Sequence, residues 1–377
     1  MQLRSPFAPA IALLLSLVWN TQHVVCQNMP SKSTPPCTVP RAVWAPSHAA
    51  LNSKLYIQGG QAQDLSYVGQ FFALDLSTAW DVQCPVWEEL PSGPINFYHS
   101  STSVPPRPTV PSDTTENMAM GTILTFKAPV DSSSLINRYD IATRTWANSS
   151  VQVLVPRRYG IDAVTNPSSG LVYLLGGYNT WLLDKMAIYD PYSDSLASEP
   201  LSEEQGSEKA QVWGLDYYSA AWVSSLQRVI YIGGTSDTYP NKTKASIELY
   251  SPAEDKWISV ETKGDVPQDT DGACLAIDEI GGQAILFGGS GQLHDSNQIF
   301  FLNLDPASDA IYTWKQGQLA NQSRRSMACA AYGRFFVAWG GEQRRGQLSD
   351  PGRLRLEQKS VGGPIRSDFW NIKLLAI

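Results

Sequence analysis

The sequence predicts an all-β chain folded as a β-propeller of six blades, each a sheet of four short strands. Three observations carry this. Apolar runs of strand character end on a diglycine five times, in KLYIQGG, LVYLLGG, RVIYIGG, QAILFGG and FFVAWGG. The first glycines of the last four pairs, Gly176, Gly233, Gly288 and Gly340, stand 57, 55 and 52 residues apart. A tryptophan then follows in most copies, at Trp87, Trp146, Trp257 and Trp314. Four-strand units of roughly 40 to 50 residues in series are the signature of a propeller. Seven blades or an incomplete ring are the alternatives.

Each element has its own reason. The opening strand of a period is rich in small residues, as in SHAAL, SAAWV, ACLAI and MACAAY. The second strand ends on the diglycine, which offers two positions that accept positive φ and carry no side chain, so that the chain reverses tightly and the next blade packs closely. The third strands are FFALDLS, LINRYDIAT, MAIYDPYS, IELYSPAE and IFFLNLDP, and the Asp, Ser or Pro after them favours a tight turn. The tryptophan comes last and fills the gap between neighbouring blades. No window reads as an amphipathic helix.

Two copies depart from the pattern. The 117 residues between Gly59 and Gly176 make about two periods, so one copy has lost its glycines; GTILTFKAP, Gly121 to Pro129, is that copy, with Lys127 and Ala128 where the pair belongs. The third copy carries SLASEP where tryptophan is expected. Gly281-Gly282 and Gly362-Gly363 follow no apolar strand and read as turns. After Gly340-Gly341 the sixth period makes one more clear strand, DFWNIKLLAI, and so lacks its outer strand. Cys37 to Val43, CTVPRAV, is expected to supply it and to cover an edge that would otherwise invite aggregation.

A hydrophobic stretch, a diglycine and a downstream Tyr and Trp at fixed offset resemble the kelch repeat. The wording LYIQGG, FFALDLS, W is most similar to secreted fungal kelch proteins of the galactose oxidase/kelch propeller superfamily, over about Arg41 to Ile377. The resemblance implies the fold; propellers host many activities, so it implies no single function.

Composition bounds the partners. The 377 residues are 43% hydrophobic with 28 Gly and 25 Pro, a folded and turn-rich chain with room for a sizeable core. A formal charge of −7 gives no pull toward nucleic acid or anionic membranes. Residues 1–26 read as a secretory signal, with Arg4 before an apolar run from Ala10 to Trp19 that is too short to span a bilayer. Residues 27–40 are then a linker and ring-closing segment, and 41–377 the propeller. The expected location is extracellular, with no integral membrane segment left once the signal is removed. Three sequons, Asn148-Ser-Ser, Asn241-Lys-Thr and Asn321-Gln-Ser, fit that location as glycosylation sites.

Four cysteines follow the signal. Cys37 lies in the closing segment and Cys84 just before Trp87 on the outer side of blade 1, so these two are expected to form a disulfide that pins the closure. Cys274 and Cys329 sit on inner strands of adjacent blades but 14 and 11 residues before their glycines, and are expected to stay unpaired. The cysteine spacing matches no zinc pattern, and no cofactor is implied.

The residues for chemistry are few. Copper radical oxidase activity, which the superfamily name raises, needs two imidazoles, two tyrosines and a crosslinked cysteine. After the signal the chain has His48, His99 and His294, and Tyr98 beside His99 is the one partial match; both read as exposed loop residues. No GxSxG, HExxH or P-loop occurs. Asp265, Asp269 and Asp271 lack the Gly and Glu of a calcium loop and read as a solvated turn.

A binding platform is the favoured class, and a carbohydrate-active enzyme such as a kelch sugar mutarotase the alternative. In a four-strand meander the loops between second and third strands and those between blades emerge on one face. That face carries two long excursions, Pro91 to Asn117 and Glu342 to Ser367. Tyr98, His99, Arg344, Arg345, Tyr67 and Trp181 are the candidate binding residues there, since aromatic and Arg side chains anchor interfaces and stack on sugars. A protein or carbohydrate is the expected partner.

Overall fold

The computed structural model describes residues 37–81, 84–106, 120–126, 136–151, 160–179, 181–182, 185–200, 216–234, 247–268, 270–291, 295–309, 311–333, 335–343 and 371–375. All regular structure in them is β. Five sheets are complete four-strand meanders whose strands pair in sequence order. Blade 1 is Ser47–Leu51, Lys54–Gln58, Phe71–Asp75 and Trp87–Glu89; blade 2 is Ser100–Val104, Thr122–Phe126, Ile136–Asp140 and Thr145–Asn148. Blade 3 is Ala163–Thr165, Val172–Leu175, Lys185–Asp190 and Ser195–Pro200; blade 4 is Ser219–Val223, Arg228–Ile232, Ile247–Ser251 and Lys256–Val260. Blade 5 is Cys274–Asp278, Gln283–Phe287, Ile299–Asn303 and Thr313–Gln316, with Lys263–Gly264 added in parallel outside. The copy without a diglycine and the copy without a tryptophan both form complete blades.

The sixth sheet corrects the expectation of six like blades. It has three strands, Ala328–Tyr332, Phe335–Trp339 and Asn371–Leu375, and the third runs parallel to the second. A parallel neighbour requires a crossover, here residues 340–370, where a meander would need only a turn. The ring-closing segment is corrected with it. Residues 37–42 form no strand, and Val43–Trp44 pairs with Gln61–Ala62 of blade 1. The segment lies on blade 1 because Gln70 holds both sides of Arg41: the Arg41 amide donates to Gln70 Oε1 and Gln70 Nε2 donates to the Arg41 carbonyl, each at 2.9 Å. The Cys37–Cys84 disulfide fixes it there, as expected.

The innermost strands nevertheless form a closed circuit. Each contacts the next from blade 1 to sheet 6, and that of sheet 6 contacts that of blade 1. The buried clusters have the same circular order. One mixes blades 1 and 2, one spans blades 2 to 4, one blades 4 and 5, one blade 5 and sheet 6, and one sheet 6 and blade 1. Tryptophans fill the gaps: Trp87 packs on Trp339 of sheet 6 at 5.8 Å between ring centroids, and Trp146 on Phe71 of blade 1 at 5.1 Å.

The diglycines stitch blade to blade. The second glycine donates its N–H to a loop carbonyl of the next blade: Gly60 to Asn96 at 2.7 Å, Gly289 to Arg324 at 2.9 Å and Gly341 to Val43 at 3.0 Å. At Gly341, φ is 86° and a Cβ would stand 2.7 Å from the Arg325 carbonyl oxygen. The position excludes a side chain on both counts.

Candidate functional site

Just before each innermost strand, the chain passes through one left-handed residue. These are Ala45, Tyr98, Gly160, Tyr217, Gly272 and Ser326, with φ between 48° and 64°. Their backbones bond head to tail around the axis. Tyr98 N donates to Ala45 O (3.2 Å), Ala45 N to Ser326 O (2.9 Å), Ser326 N to Gly272 O (2.8 Å), Gly272 N to Tyr217 O (2.9 Å) and Tyr217 N to Gly160 O (2.7 Å). The bonds form a collar at the loop face. Below it the innermost strands enclose an axial cavity of about 520 Å³ that all six sheets line. The small residues of those strands, such as Ala50, Ser101 and Ala221, leave the space open.

Counting from the collar residue gives the height of each residue on the innermost strands. Two places on stand Ser47, Ser100, Asp162, Ser219, Cys274 and Ala328; three places on stand His48, Ser101, Ala163, Ala220, Leu275 and Cys329. Asp162 is the one carboxylate in this layer. Its Oδ2 accepts the Ala220 N–H at 2.8 Å, yet burial outweighs that bond and pushes its pKa up to about 6. Burial drives His48 the other way, to about 4, so its imidazole is neutral at physiological pH.

Above the collar the loops bring aromatic rings together. Tyr67 stacks on Phe97 at 4.3 Å, Phe97 meets Tyr98 at 5.4 Å, and Tyr98 meets Trp44 edge-on at 5.0 Å and Tyr217 at 5.3 Å. Tyr98 precedes blade 2 and Tyr217 precedes blade 4, so this last pair reaches over the mouth of the cavity. Burial first, and the neighbouring phenol next, hold the Tyr98 hydroxyl far above its usual range, so it stays protonated. Arg325 and Glu342 form an ion pair beside Tyr98, and Arg325 Nε lies 3.8 Å from Asp295 Oδ1.

The structure brings Tyr67 and Tyr98 into one aromatic chain and separates His99 from it. His99 is not an exposed loop residue: it is 5% exposed, beneath the rim. Its Nε2 lies 2.8 Å from Ser47 Oγ and 2.5 Å from Gln58 Oε1. Gln58 Nε2 donates to the Pro94 carbonyl, which orients the amide so that Oε1 accepts from His99. Nε2 therefore carries the proton. It cannot serve as a base toward Ser47, and the group is a structural brace. Arg324, on the same face, is likewise buried and donates from Nη1 to the Gly340 carbonyl at 2.9 Å. Trp181 lies in a short hairpin with Tyr178–Asn179. Arg344, Arg345, His294 and Asn241 lie outside the described residues; Asn148 and Asn321 are exposed. Asp265 Oδ2 accepts the Gln316 N–H at 3.0 Å.

Sequence reasoning missed Tyr217, Trp44, Phe97 and Asp162. Alignment on the collar residues, rather than on the glycines, would have exposed Asp162 as the odd member of its layer.

Cys274 and Cys329 correct a further expectation: they form a disulfide, with Cα atoms 6.1 Å apart. Their offsets from the glycines were counted around the hairpins, whose turns differ in length. Across the sheet, Cys274 pairs with Phe287, one residue before Gly288, and Cys329 with Ala338, two before Gly340. The real difference in height is a single residue, within reach of a disulfide.

No protein-family model and no curated protein matches the chain. Among solved structures it is similar to the one titled "Structure of YjhT", with a TM-score of 0.58 and 13% sequence identity, over 82% of this chain and 93% of that one. At that identity the likeness shows the fold, a β-propeller. No helix among the described residues is long and apolar enough to cross a membrane.

Proposed function

We propose that this chain is a secreted kelch-type propeller, its ring of five blades closed by the three-strand sixth sheet, that binds a carbohydrate at the loop face, at the mouth of the axial cavity. The carrying observation is the run of rings from Tyr67 through Phe97 and Tyr98 to Tyr217, set over a cavity whose wall carries hydroxyls and the carboxyl groups of Asp162 and Glu279. Aromatic faces stack on the apolar faces of sugars, and hydroxyl-lined walls take their polar edges. A cavity of about 520 Å³ falls within the range of small-molecule sites. The rings at the mouth serve a protein partner equally as anchors, so glycan-bearing proteins belong to the same reading. Arg344 and Arg345 follow Glu342 in sequence, and the proposal gives them the carboxylate or sulfate of an acidic sugar.

A glycan array with the purified chain identifies the ligand class. Replacing Tyr98 and Tyr217 together by Ala then lowers affinity about ten-fold or more, the cost of losing central anchors. Unchanged binding by the double variant removes the placement, and an array without hits removes the carbohydrate reading.

One observation favours an enzyme as a second reading. A carboxyl group with its pKa near 6 in a cavity wall suits general acid–base work on a sugar ring, and Asp162 is such a group. The check is sugar anomerisation followed by NMR: an enzyme loses its rate on Asp162→Asn, and a binding protein never had one. The secreted location and the use of Asn148, Asn241 and Asn321 as glycan sites are tested by N-terminal sequencing and glycopeptide mass spectrometry.

A further inference from the structure

We propose that His48, Cys274 and Cys329 form a redox-gated site for a thiophilic divalent cation of the zinc class, open to the axial cavity. His48 comes from blade 1, Cys274 from blade 5 and Cys329 from sheet 6, three consecutive members of the closed circuit. Relative to the collar they sit at one layer or the next. Their ligand atoms all lie within 4.8 Å of one another, with His48 Nε2 3.9 Å from Cys274 Sγ. Nε2 has this sulfur as its polar contact among the described residues. All three side chains line the cavity.

In the structure the sulfurs are bonded to each other and offer no thiolate. A dithiol reductant changes that in a balanced exchange: its two thiols become a disulfide, and Cys274 and Cys329 become two thiols. A zinc-class ion then binds with release of two protons, one from each sulfur. Zn–S bonds of about 2.3 Å and a Zn–N bond of about 2.0 Å in a tetrahedron place the sulfurs roughly 3.8 Å apart and nitrogen roughly 3.5 Å from each. The imidazole starts 3.9 Å from Cys274 Sγ and within 4.8 Å of Cys329 Sγ, so side-chain rotation closes the nitrogen onto the site while the sulfurs separate by rotation about Cα–Cβ. Two thiolates and one imidazole leave a fourth position, which faces the cavity. Sites with three protein ligands and one open position take water or substrate there. The disulfide is therefore the closed state of the site, and reduction opens it. Sequence spacing hid the arrangement, since His48 and Cys274 are 226 residues apart.

The test is cobalt(II) and zinc(II) titration of the full chain, oxidised and after reduction by a dithiol, with circular dichroism reporting the fold. The expected result is one tetrahedral cobalt site per reduced chain, with thiolate-to-cobalt charge-transfer absorption and two protons released per zinc, and no such site in the oxidised chain. His48→Ala keeps both cysteines and is expected to weaken zinc binding at least ten-fold, a loss seen even for supporting partners of ligands. His48→Cys restores it. Equal affinity of reduced parent and His48→Ala, an octahedral cobalt spectrum, or binding confined to Cys37 and Cys84 in differential alkylation each overturn the proposal. Unfolding on reduction overturns it too, because the dithiol form would then have no site.

Discussion

The layer between the blades is built from residues that recur along the chain, whereas the wall of the axial cavity is built from residues that vary from blade to blade. Between blades, the glycine pairs and the tryptophans do the same job several times: Gly60, Gly289 and Gly341 each donate to the next blade's loop. At the axis, the layer three residues past the collar, all of it lining the cavity, reads His, Ser, Ala, Ala, Leu, Cys. Repetition marks what holds the ring together. Its breaks mark the positions that are free to carry chemistry, because packing between blades does not dictate them.

The comparison is broken most directly at the seam, where sheet 6 meets blade 1. Trp339 is 1% exposed and packs against Trp87. Trp339→Ala is expected to lower stability by about 3–5 kcal/mol, the usual cost of emptying a buried aromatic site. A loss below about 1 kcal/mol in urea denaturation would mean that the tryptophan contact at the seam does not hold the ring.

The second effect also lies at the seam. Cys37 and Cys84 close a loop of 47 residues, for which chain entropy sets a ceiling of about 4 kcal/mol. Replacing both by Ser is expected to cost 2–4 kcal/mol on that scale. Hydrogen exchange should show the loss first at Val43–Trp44 and its partner Gln61–Ala62. Uniform loss over all blades would contradict a local pin.

The axial wall gives the third, and its sign is fixed by the direction of the shift. The folded state holds the Asp162 carboxyl at about 6, against an ordinary 3.8. Below about pH 4 both folded and unfolded chains carry the proton, and the group costs nothing. Between pH 4 and 6 the unfolded chain releases it first, so stability falls as pH rises, by at most about 3 kcal/mol, and stays lower above pH 6. Asp162→Asn keeps an acceptor for the Ala220 N–H and removes this loss. The variant should match the parent below pH 4 and exceed it at pH 7; identical pH profiles would show that water in the cavity solvates the carboxylate fully.

How much of this was legible follows the same division. The strands, the blade order and the role of the diglycines could be read because they recur at a period that one sequence displays. The Cys37–Cys84 bridge was legible because both residues flank elements of blade 1. The parallel strand Asn371–Leu375 was not, since strand direction follows from the crossover, which leaves no local mark in DFWNIKLLAI. The Cys274–Cys329 bridge was hidden by counting around hairpins of unequal length. His99 looked like a loop residue because it follows Tyr98 in an irregular segment, and only the fold shows Gln58 and Ser47 closing over it.

The smallest predicted effect tests the comparison inside the collar itself. Six equivalent residues adopt the left-handed conformation; Gly160 and Gly272 do so without strain, while Ser326 does so at φ 52° with a Cβ. An L residue there costs about 1–2 kcal/mol, and glycine gives back about 0.5–1 kcal/mol of that in unfolded-chain entropy. Ser326→Gly should therefore raise stability by about 0.5–1 kcal/mol and leave the bonds from Ser326 N to Gly272 O and from Ala45 N to Ser326 O intact, since both are backbone. Tyr98→Gly relieves the same strain but removes a ring in contact with Trp44, Phe97 and Tyr217, so it should destabilise and lose ligand affinity. The two variants differ only in what the side chain does above a shared backbone. If Ser326→Gly destabilises as Tyr98→Gly does, side chains at the collar serve the frame, and the division between repeated frame and variable wall fails at its boundary.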